Sequence, residues 1–486
     1  MAAEGGPGHL LWEAMLQSVE ERLAKDPSAV GPAFRRAQLL WNLGRTDEAR
    51  LAYARVLALS PAHFQAIINL GALLQATGSR KDARTCFAEA AARHPDKPAG
   101  HVNLANLLLE DGELSLAREH YQKALRLDPD LAEAHQGLAA LCERLGETVL
   151  AAAHRRLGYR NRAVTALPYR GRGEPVRVLL LLSATRGNVQ LEKFLDDRIY
   201  QVTILFMEFY DPVKPLPPHQ LIVNAVGNAE LCRQALEAAA ALASSSSAPV
   251  VNQPAAVLGT GRVQVAERLR HVAGLVCPRM ENLPRSLLAA PDAPGLLAAH
   301  GFTPPFLLRT PGFNNGRYFV KVDDCRDLGP ALESLPGSEL TAIEYLDSRA
   351  PDGTIRKYRV MFVGGQIYPL HLAVSHTWKI HYYTAEMADD PEHRAQEAAF
   401  LRDMPGVIGP AAVKALEGVR DALDLDYGGA DFSLGKHGEV LLFEANATMT
   451  VSPPGLGQLW DYRRAAIDRV MQAVGAMIAR KAGSGG

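Results

Sequence analysis

Two short stretches near the C-terminus carry oxygen side chains at a spacing that suits a hard divalent cation. The first is Asp426-Tyr-Gly-Gly-Ala-Asp431-Phe-Ser and the second Val440-Leu-Leu-Phe-Glu444-Ala-Asn446, with a turn at Lys436-His-Gly438 between them. Both read as strands, and residues two apart on a strand share a face, so Glu444 and Asn446 point the same way. Mg²⁺ takes few protein oxygens and completes its shell with water and phosphate, which makes Asp431, Glu444 and Asn446 a candidate metal set. The alternative is a pair of solvated strand ends. Upstream, Pro305-Phe-Leu-Leu-Arg309-Thr-Pro-Gly312-Phe-Asn314-Asn315-Gly316 sets a cation just before a turn with two glycines. Backbone N–H groups in such a turn can cradle phosphate oxygens, although a glycine hairpin without a ligand is commonplace.

Something must hold these residues in place, and 486 residues exceed a single ordinary core, so two or three domains are expected. The formal net charge is −1, which supplies no field for nucleic acid or an anionic membrane surface. Five cysteines (Cys86, Cys142, Cys232, Cys277 and Cys325) are scattered and never spaced as Cys-x-x-Cys. Neither a disulfide framework nor a zinc site is indicated, and a reducing compartment fits. Met1 to Gly8 is small and acidic rather than basic then apolar, and no stretch approaches the roughly 18 apolar residues of a membrane span. The expectation is a soluble, unexported, cytoplasmic protein with no nucleic-acid or membrane partner.

Prolines recur at Pro27, Pro61, Pro95 and Pro129, each about 34 residues from the next. Ala49, Ala83, Ala117 and Ala151 keep the same register, and Tyr53, Phe87 and Tyr121 lie four residues after the first three. A small residue lets two helices of a hairpin approach, an aromatic fills the gap to the next hairpin, and proline ends the second helix. This is the tetratricopeptide-repeat pattern, here over residues 10–158, with turns at Gly78-Ser79 and Gly112-Glu113. Asn69, Asn103 and Asn106 fall on first helices, which line the concave face of such solenoids and can bond a peptide; asparagine is also ordinary there.

Residues 159–175, rich in Arg and Gly with prolines at both ends, break the period and read as a linker. Val176 to Ser183, Gln201 to Phe206 and Leu221 to Ala225 are apolar runs suited to buried strands, followed by an alanine-rich helix from Ala229 to Ala243. They predict a small α/β domain over 176–280. Residues 281–480 change character: Phe306 to Arg309, Arg317 to Val322, Leu340 to Tyr345, Tyr358 to Val363 and Val440 to Glu444 read as strands. A hairpin turn is expected at Gly364-Gly365, and a final amphipathic helix spans Trp460 to Arg480.

In order, Pro305 to Arg309, Gly312 to Gly316, Ile343-Glu344-Tyr345, Lys357-Tyr-Arg359, Asp431 and Glu444-Ala-Asn446 resemble the motifs of the ATP-grasp superfamily, in its branch of RimK-like glutamate ligases and glutathione synthetases. The likeness covers Val176 to Arg480. It implies a multidomain chain: an all-α tetratricopeptide solenoid, a leading α/β domain and α+β ATP-grasp lobes. It further implies that Arg309 takes the place of a phosphate-touching lysine, that Gly312, Asn314, Asn315 and Gly316 close over ATP phosphates, that Glu344 and Tyr345 meet adenine, and that Asp347 meets ribose. Asp431, Glu444 and Asn446 are implied to hold Mg²⁺ or Mn²⁺, with Arg359 and Lys357 as the catalytic cations.

The implied activity is an ATP-dependent carboxylate–amine ligase acting on small-molecule or peptide reactants, with a protein or peptide recruited by the repeats. A phosphotransferase of the same fold and a non-catalytic ATP-sensing adaptor are the alternatives. Two departures stand out: arginine at 309 where lysine is usual, which keeps charge and can bind phosphate bidentately, and bulk at Phe313-Asn-Asn. The residues before Asp431 lack the arginine of D-alanine ligases. His371-Leu-Ala-Val-Ser-His376-Thr-Trp378-Lys379-Ile-His381-Tyr382-Tyr383 reads either as an acceptor-site lining or as a packed aromatic strand, its spacing matching no metal set. Arg262 reads as a nucleotide contact or a structural arginine at a helix start, and Lys321 as a solvated side chain.

Overall fold

The computed structural model describes residues 7–160, 162–171, 173–313, 316–380, 385–452 and 458–483. Two compact units emerge, one from residues 1–177 and 196–214, the other from 178–195 and 215–486. Asn314, Asn315, His381, Tyr382 and Tyr383 lie outside the described residues.

The first unit is a run of paired helices, α1 (Pro7–Lys25), α2 (Val30–Asn42), α3 (Thr46–Leu59), α4 (Phe64–Ala76), α5 (Arg80–Arg93), α6 (Pro98–Asp111), α7 (Leu114–Leu127), α8 (Ala132–Leu145) and α9 (Thr148–Tyr159). Each hairpin turns at Gly44, Gly78, Gly112 or Gly146, all in the left-handed region at φ 74 to 84°, where a Cβ is penalised. Gly112 and Gly146 close their helices with paired bonds back to the last turn, such as Glu113 N to Leu108 O at 2.9 Å. The expected packing is present. Ala49, Ala83, Ala117 and Ala151 are wholly buried, as are Tyr53, Phe87 and Tyr121. A Cβ at Gly71 would meet the Phe87 ring, and one at Gly137 the Tyr121 ring, so these glycines admit the aromatics.

Asn69 and Asn106, each readable as a peptide contact or an ordinary repeat asparagine, spend one bond on a tyrosine hydroxyl. Asn69 Nδ2 donates to the Tyr53 hydroxyl at 3.3 Å, and Asn106 Oδ1 accepts from the Tyr121 hydroxyl at 2.6 Å. Two further pairs repeat one period apart. His101 Nδ1 lies 3.0 Å from His120 Nδ1, and His135 Nδ1 lies 2.9 Å from His154 Nδ1. His135 Nε2 also reaches the Pro129 carbonyl at 2.9 Å; because that nitrogen must donate, Nδ1 is left to accept from His154.

The described residues of 159–175, a tract expected as a linker, are built into this unit. Tyr159 stacks on Phe209, β1 (Val164–Ala166) pairs antiparallel with residues 203–205, and Arg170 N donates to Asp197 O. The chain then enters β2 (Val176–Leu182), which continues into the second unit, and returns as β3 (Tyr200–Phe206). β3 runs antiparallel to β1.

The second unit holds three sheets. β2, β4 (Leu221–Asn224) and β5 (Val250–Val251) are parallel and almost wholly buried, with the helix Arg233–Ser244 joining the last two. β7 (Met280–Pro284), β8 (Phe306–Arg309), β9 (Phe319–Val322) and β10 (Glu339–Glu344) form an antiparallel sheet in the order β7-β10-β8-β9. The third has the order β12-β11-β13-β14-β6, from β6 (Leu275–Val276), β11 (Ile355–Val363), β12 (Gln366–Ser375), β13 (Tyr427–Leu434) and β14 (Val440–Asn446). The α/β layer is pinned to it at Asn252, whose amide exchanges two bonds with the Tyr427 backbone at 2.7 and 2.8 Å. The final helix, Arg464–Gly483, begins after a 3₁₀ turn whose last residue, Arg463, pairs with buried Glu397 at 2.7 Å. Among the described residues no helix is long and apolar enough to cross a membrane.

Burial pushes the imidazoles of His101, His120 and His154 below their ordinary value, with Lys123 and Arg126 facing His101, Lys123 and Glu119 facing His120, and Arg118 facing His154. A depressed histidine pKa favours the neutral form in the fold, so this stability is complete above about pH 6.5 and fades as pH falls. Thermal melts followed by circular dichroism at pH 7.5 and 5.5 are expected to show the repeat unit losing stability in acid. Replacing His120 and His154 with glutamine is expected to flatten that dependence; an unchanged slope would refute the assignment.

Candidate functional site

Four residues stand directly opposite one another across four adjacent strands: His371 on β12, Arg359 on β11, Asp431 on β13 and Glu444 on β14. Directly opposed side chains on one sheet face lie within roughly 5 Å at Cβ, so this row is a single surface. Register shifts follow Arg359 on β11 and Asp431 on β13, irregularities of the kind that re-aim side chains beside a site.

Asp431 is 2 % exposed. Its oxygens accept from Arg359 at 2.5 and 2.8 Å and from Lys357 at 2.9 Å. Lys357 and Arg359 alternate with apolar Tyr358 on β11, which places both cations on the row's face. Burial raises the Asp431 carboxyl, but the Arg359 and Lys357 charges outweigh it and hold the group far below the usual carboxylate range. Glu444 follows the same logic. Burial raises it, Arg262 at 2.6 Å lowers it, and the net direction is down. Asn446 completes the cluster, with Nδ2 donating to Glu444 Oε1 at 2.7 Å and Oδ1 accepting from Thr448 N and Oγ1, each at 2.8 Å. The sequence-derived set Asp431, Glu444 and Asn446 is thus brought together on neighbouring strands. His371 at the row's end is buried, and burial with the nearby Arg359 charge drives its pKa well down, so it is a neutral imidazole.

Arg309 ends β8, is 7 % exposed, and donates to the Phe313 carbonyl. Burial and the Arg262 charge lower its pKa to about 10, against the pull of Glu444 and Glu230. Among the described residues Arg309 Nε and Arg262 Nε are buried without a hydrogen-bond partner, a costly state that a ligand oxygen would relieve. Arg262, Arg309, Lys357 and Arg359 are four cations among the three carboxylates Asp431, Glu444 and Glu230. The remaining positive charge suits an anionic ligand, with or without its own cation.

The other expected nucleotide residues lie along the antiparallel sheet. Thr341 on β10 faces Arg309 on β8, whereas Glu344 faces Phe306, so Glu344 and Arg309 sit three residues, roughly 10 Å, apart along the ladder. The Glu344 N–H donates to Arg279 O at 2.9 Å, and its carboxylate accepts from Arg279 N at 2.9 Å. The Tyr345 ring lies 4.3 Å beneath the Lys321 ammonium, which pairs with Asp323 at 2.6 Å. Asp347 accepts from Arg349 N at 3.1 Å. Gly312 and Gly316 have φ of 78 and 69°, and a Cβ at Gly316 would meet the Lys379 side chain. Lys379 itself donates to Phe319 O at 3.0 Å.

Two residues were underrated or missed. Arg262 opens the helix Arg262–Leu269 and reaches Glu444; sequence alone left it between structural and ligand-contacting roles. Glu230 fell at the start of the helix expected from Ala229 to Ala243; that helix begins at Arg233, and Glu230 lies in the loop before it. It accepts from Arg262 N at 3.2 Å and Gly312 N at 3.1 Å. A cleft lined by Gly227 to Glu230, Thr260, Arg262, Glu444, Asn446 and Thr448 joins them. It opens beyond the carboxyl end of β4, where open α/β sheets place ligands.

Residues 34–98, 68–132 and 104–162 match the tetratricopeptide repeat family. Among solved structures the chain is similar over its repeats to MamA from Desulfovibrio magneticus RS-1, at 27 % identity, covering 31 % of this chain and 87 % of that one with a TM-score of 0.29. It is also similar to YrrB, titled a TPR protein with an unusual peptide-binding site, at 17 % identity, 30 % and 76 % coverage and TM-score 0.28. PilF of Pseudomonas aeruginosa gives 20 % identity, 31 % and 70 % coverage and TM-score 0.29. Among curated proteins none matches the chain.

Removing the Arg359 guanidinium leaves Asp431 buried with only its contact to Lys357. Arg359→Met is expected to cost about 3 to 5 kcal/mol, read from the denaturant midpoint of the second unit. The surface pair Arg326 and Asp324 is expected to be replaceable without measurable change. A wild-type midpoint for Arg359→Met would show that the pair is not closed.

Proposed function

We propose that the second unit is an ATP-grasp ligase that binds Mg-ATP, activates a carboxylate as an acyl-phosphate and joins it to an amine, while the repeats recruit a protein or peptide that supplies or accompanies one reactant. Residues 34–162 match tetratricopeptide repeats, a protein-interaction type of module. What supports the enzymatic reading is the cluster itself: two ionised carboxylates and an asparagine on adjacent strands, outnumbered by four buried or half-buried cations next to a glycine turn. Phosphoryl transfer asks a protein for this, positioned positive charge for the transferred group and oxygens for the divalent ion that travels with it.

The donor chemistry fits magnesium. Asp431, Glu444 and Asn446 would hold it, and the ion would supply charge neutralisation across the phosphates. Their oxygens now bond Arg359, Lys357, Arg262 and Thr448, contacts that phosphate oxygens can take over from the cations. Arg309, with an unpartnered Nε, is placed to bind phosphate, and the roughly 10 Å between Arg309 and Glu344 suits a nucleotide laid along β8 and β10. In this reading Arg359 and Lys357 offset the charge that develops when a carboxylate oxygen attacks the terminal phosphorus, ADP leaves, and an amine then displaces phosphate.

A second reading draws on one observation, that both carboxylates are already neutralised by cations. A site that binds nucleotide without turning it over would make the protein an ATP-sensing adaptor. The deciding experiment incubates purified protein with cell extract, ATP and Mg²⁺ and follows phosphate release and product masses. A mass gain on one peptide or metabolite, lost in Asp431→Ala and reduced at least a hundredfold in Glu444→Ala, is the expected result. ADP without a condensed product would make the protein a phosphotransferase, and binding without turnover a sensor. Wild-type turnover by Glu444→Ala would reject the metal assignment.

A further inference from the structure

Glu230 occupies an unusual position for a loop carboxylate. Oε2 accepts from Gly312 N, the first glycine of the turn after β8, and Oε1 accepts from Arg262 N, the first residue of the helix Arg262–Leu269. Its charge acts on Arg309 together with that of Glu444. Two backbone N–H groups and a nearby buried guanidinium are the contacts that a phosphate group finds in a glycine-turn site. Arg309 Nε and Arg262 Nε are buried without partners among the described residues, which leaves donors on both guanidinium groups unsatisfied. The neighbouring Leu231 Cδ2 lies 2.5 Å from where a Cβ on Gly312 would stand, so the loop carrying Glu230 rests directly on the turn.

We propose that the Glu230 carboxylate is a built-in occupant of an anion seat formed by Gly312 N, Arg262 and Arg309, and that an incoming phosphate group displaces it. The proposal rests on the reading of the second unit as phosphate-binding and adds to it an internal competitor. A carboxylate and a phosphate oxygen accept the same N–H bonds, and both cannot stand in one seat. Exchange releases Glu230 into the cleft beside Asn228 and Thr260. If Glu230 closes nine seats in ten, apparent phosphate affinity is about tenfold weaker than the open seat would give.

Isothermal titration of inorganic phosphate and, separately, of Mg-ATP into the full chain tests this with Glu230→Gln and Glu230→Ala. Glu230→Ala is expected to bind inorganic phosphate about tenfold more tightly than wild type, and Glu230→Gln, uncharged but still able to accept, to fall between. Glu230→Ala is also expected to melt lower without phosphate and to regain more stability than wild type when phosphate is added. Should Glu230→Ala not fold, Glu230→Gln against wild type carries the comparison. Equal or weaker phosphate binding by the variants overturns the proposal. Equal Mg-ATP affinity in all three overturns it while leaving the nucleotide reading intact. Tightened phosphate binding without any Mg-ATP binding supports the seat and removes the nucleotide reading.

Discussion

Two carboxylates on adjacent strands, facing the same way and shielded from water, repel each other and lose hydration, so they remain ionised only where cations are fixed around them. That constraint organises the second unit. Arg359 and Lys357 share a face of β11 because they are two residues apart, and they close on Asp431. Arg262 comes from a helix start far away in sequence and closes on Glu444. Each pair costs desolvation that its attraction roughly returns, so the arrangement adds little stability. It stores a dense field on one sheet face instead.

The field explains its surroundings. His371 stays neutral because it is buried and because a further positive charge beside Arg359 would be repelled. The Glu397 carboxylate, wholly buried near Leu372, draws Arg463 and the Tyr462 hydroxyl and so ties the C-terminal segment to the sheet behind the site. Asn252, with φ of 56°, spends its whole amide on the backbone of Tyr427. That seam sets the α/β layer, and with it Glu230, against the strands that carry Asp431 and Glu444.

The repeats were legible because their packing recurs. A small residue, an aromatic and a helix-ending proline return in one register, and the buried alanines, Tyr53, Phe87 and Tyr121 occupy the places that register assigns. The strands around Arg309, Arg359, Asp431 and Glu444 were legible from apolar runs and glycine turns. Residues 159–175 were not: an Arg- and Gly-rich tract has no period, yet β1 and Arg170 bind it to residues 196–206. The bonds that Asn69 and Asn106 make to tyrosine hydroxyls, one from the preceding hairpin and one from the same hairpin, have no local sequence signal.

Sequence alone therefore determined what depends on local chemistry and short spacing: the helical array and its turns, the strands, and the identity of the oxygen and cation groups that could act together. The tertiary structure decided which of them meet. The row from His371 to Glu444 is a matter of strand register, and the partnership of Arg262 with Glu444, or of Glu230 with Gly312, joins residues some eighty to two hundred positions apart. No periodicity encodes such contacts, because they arise from the packing of separate sheets, and packing is a property of the whole folded unit.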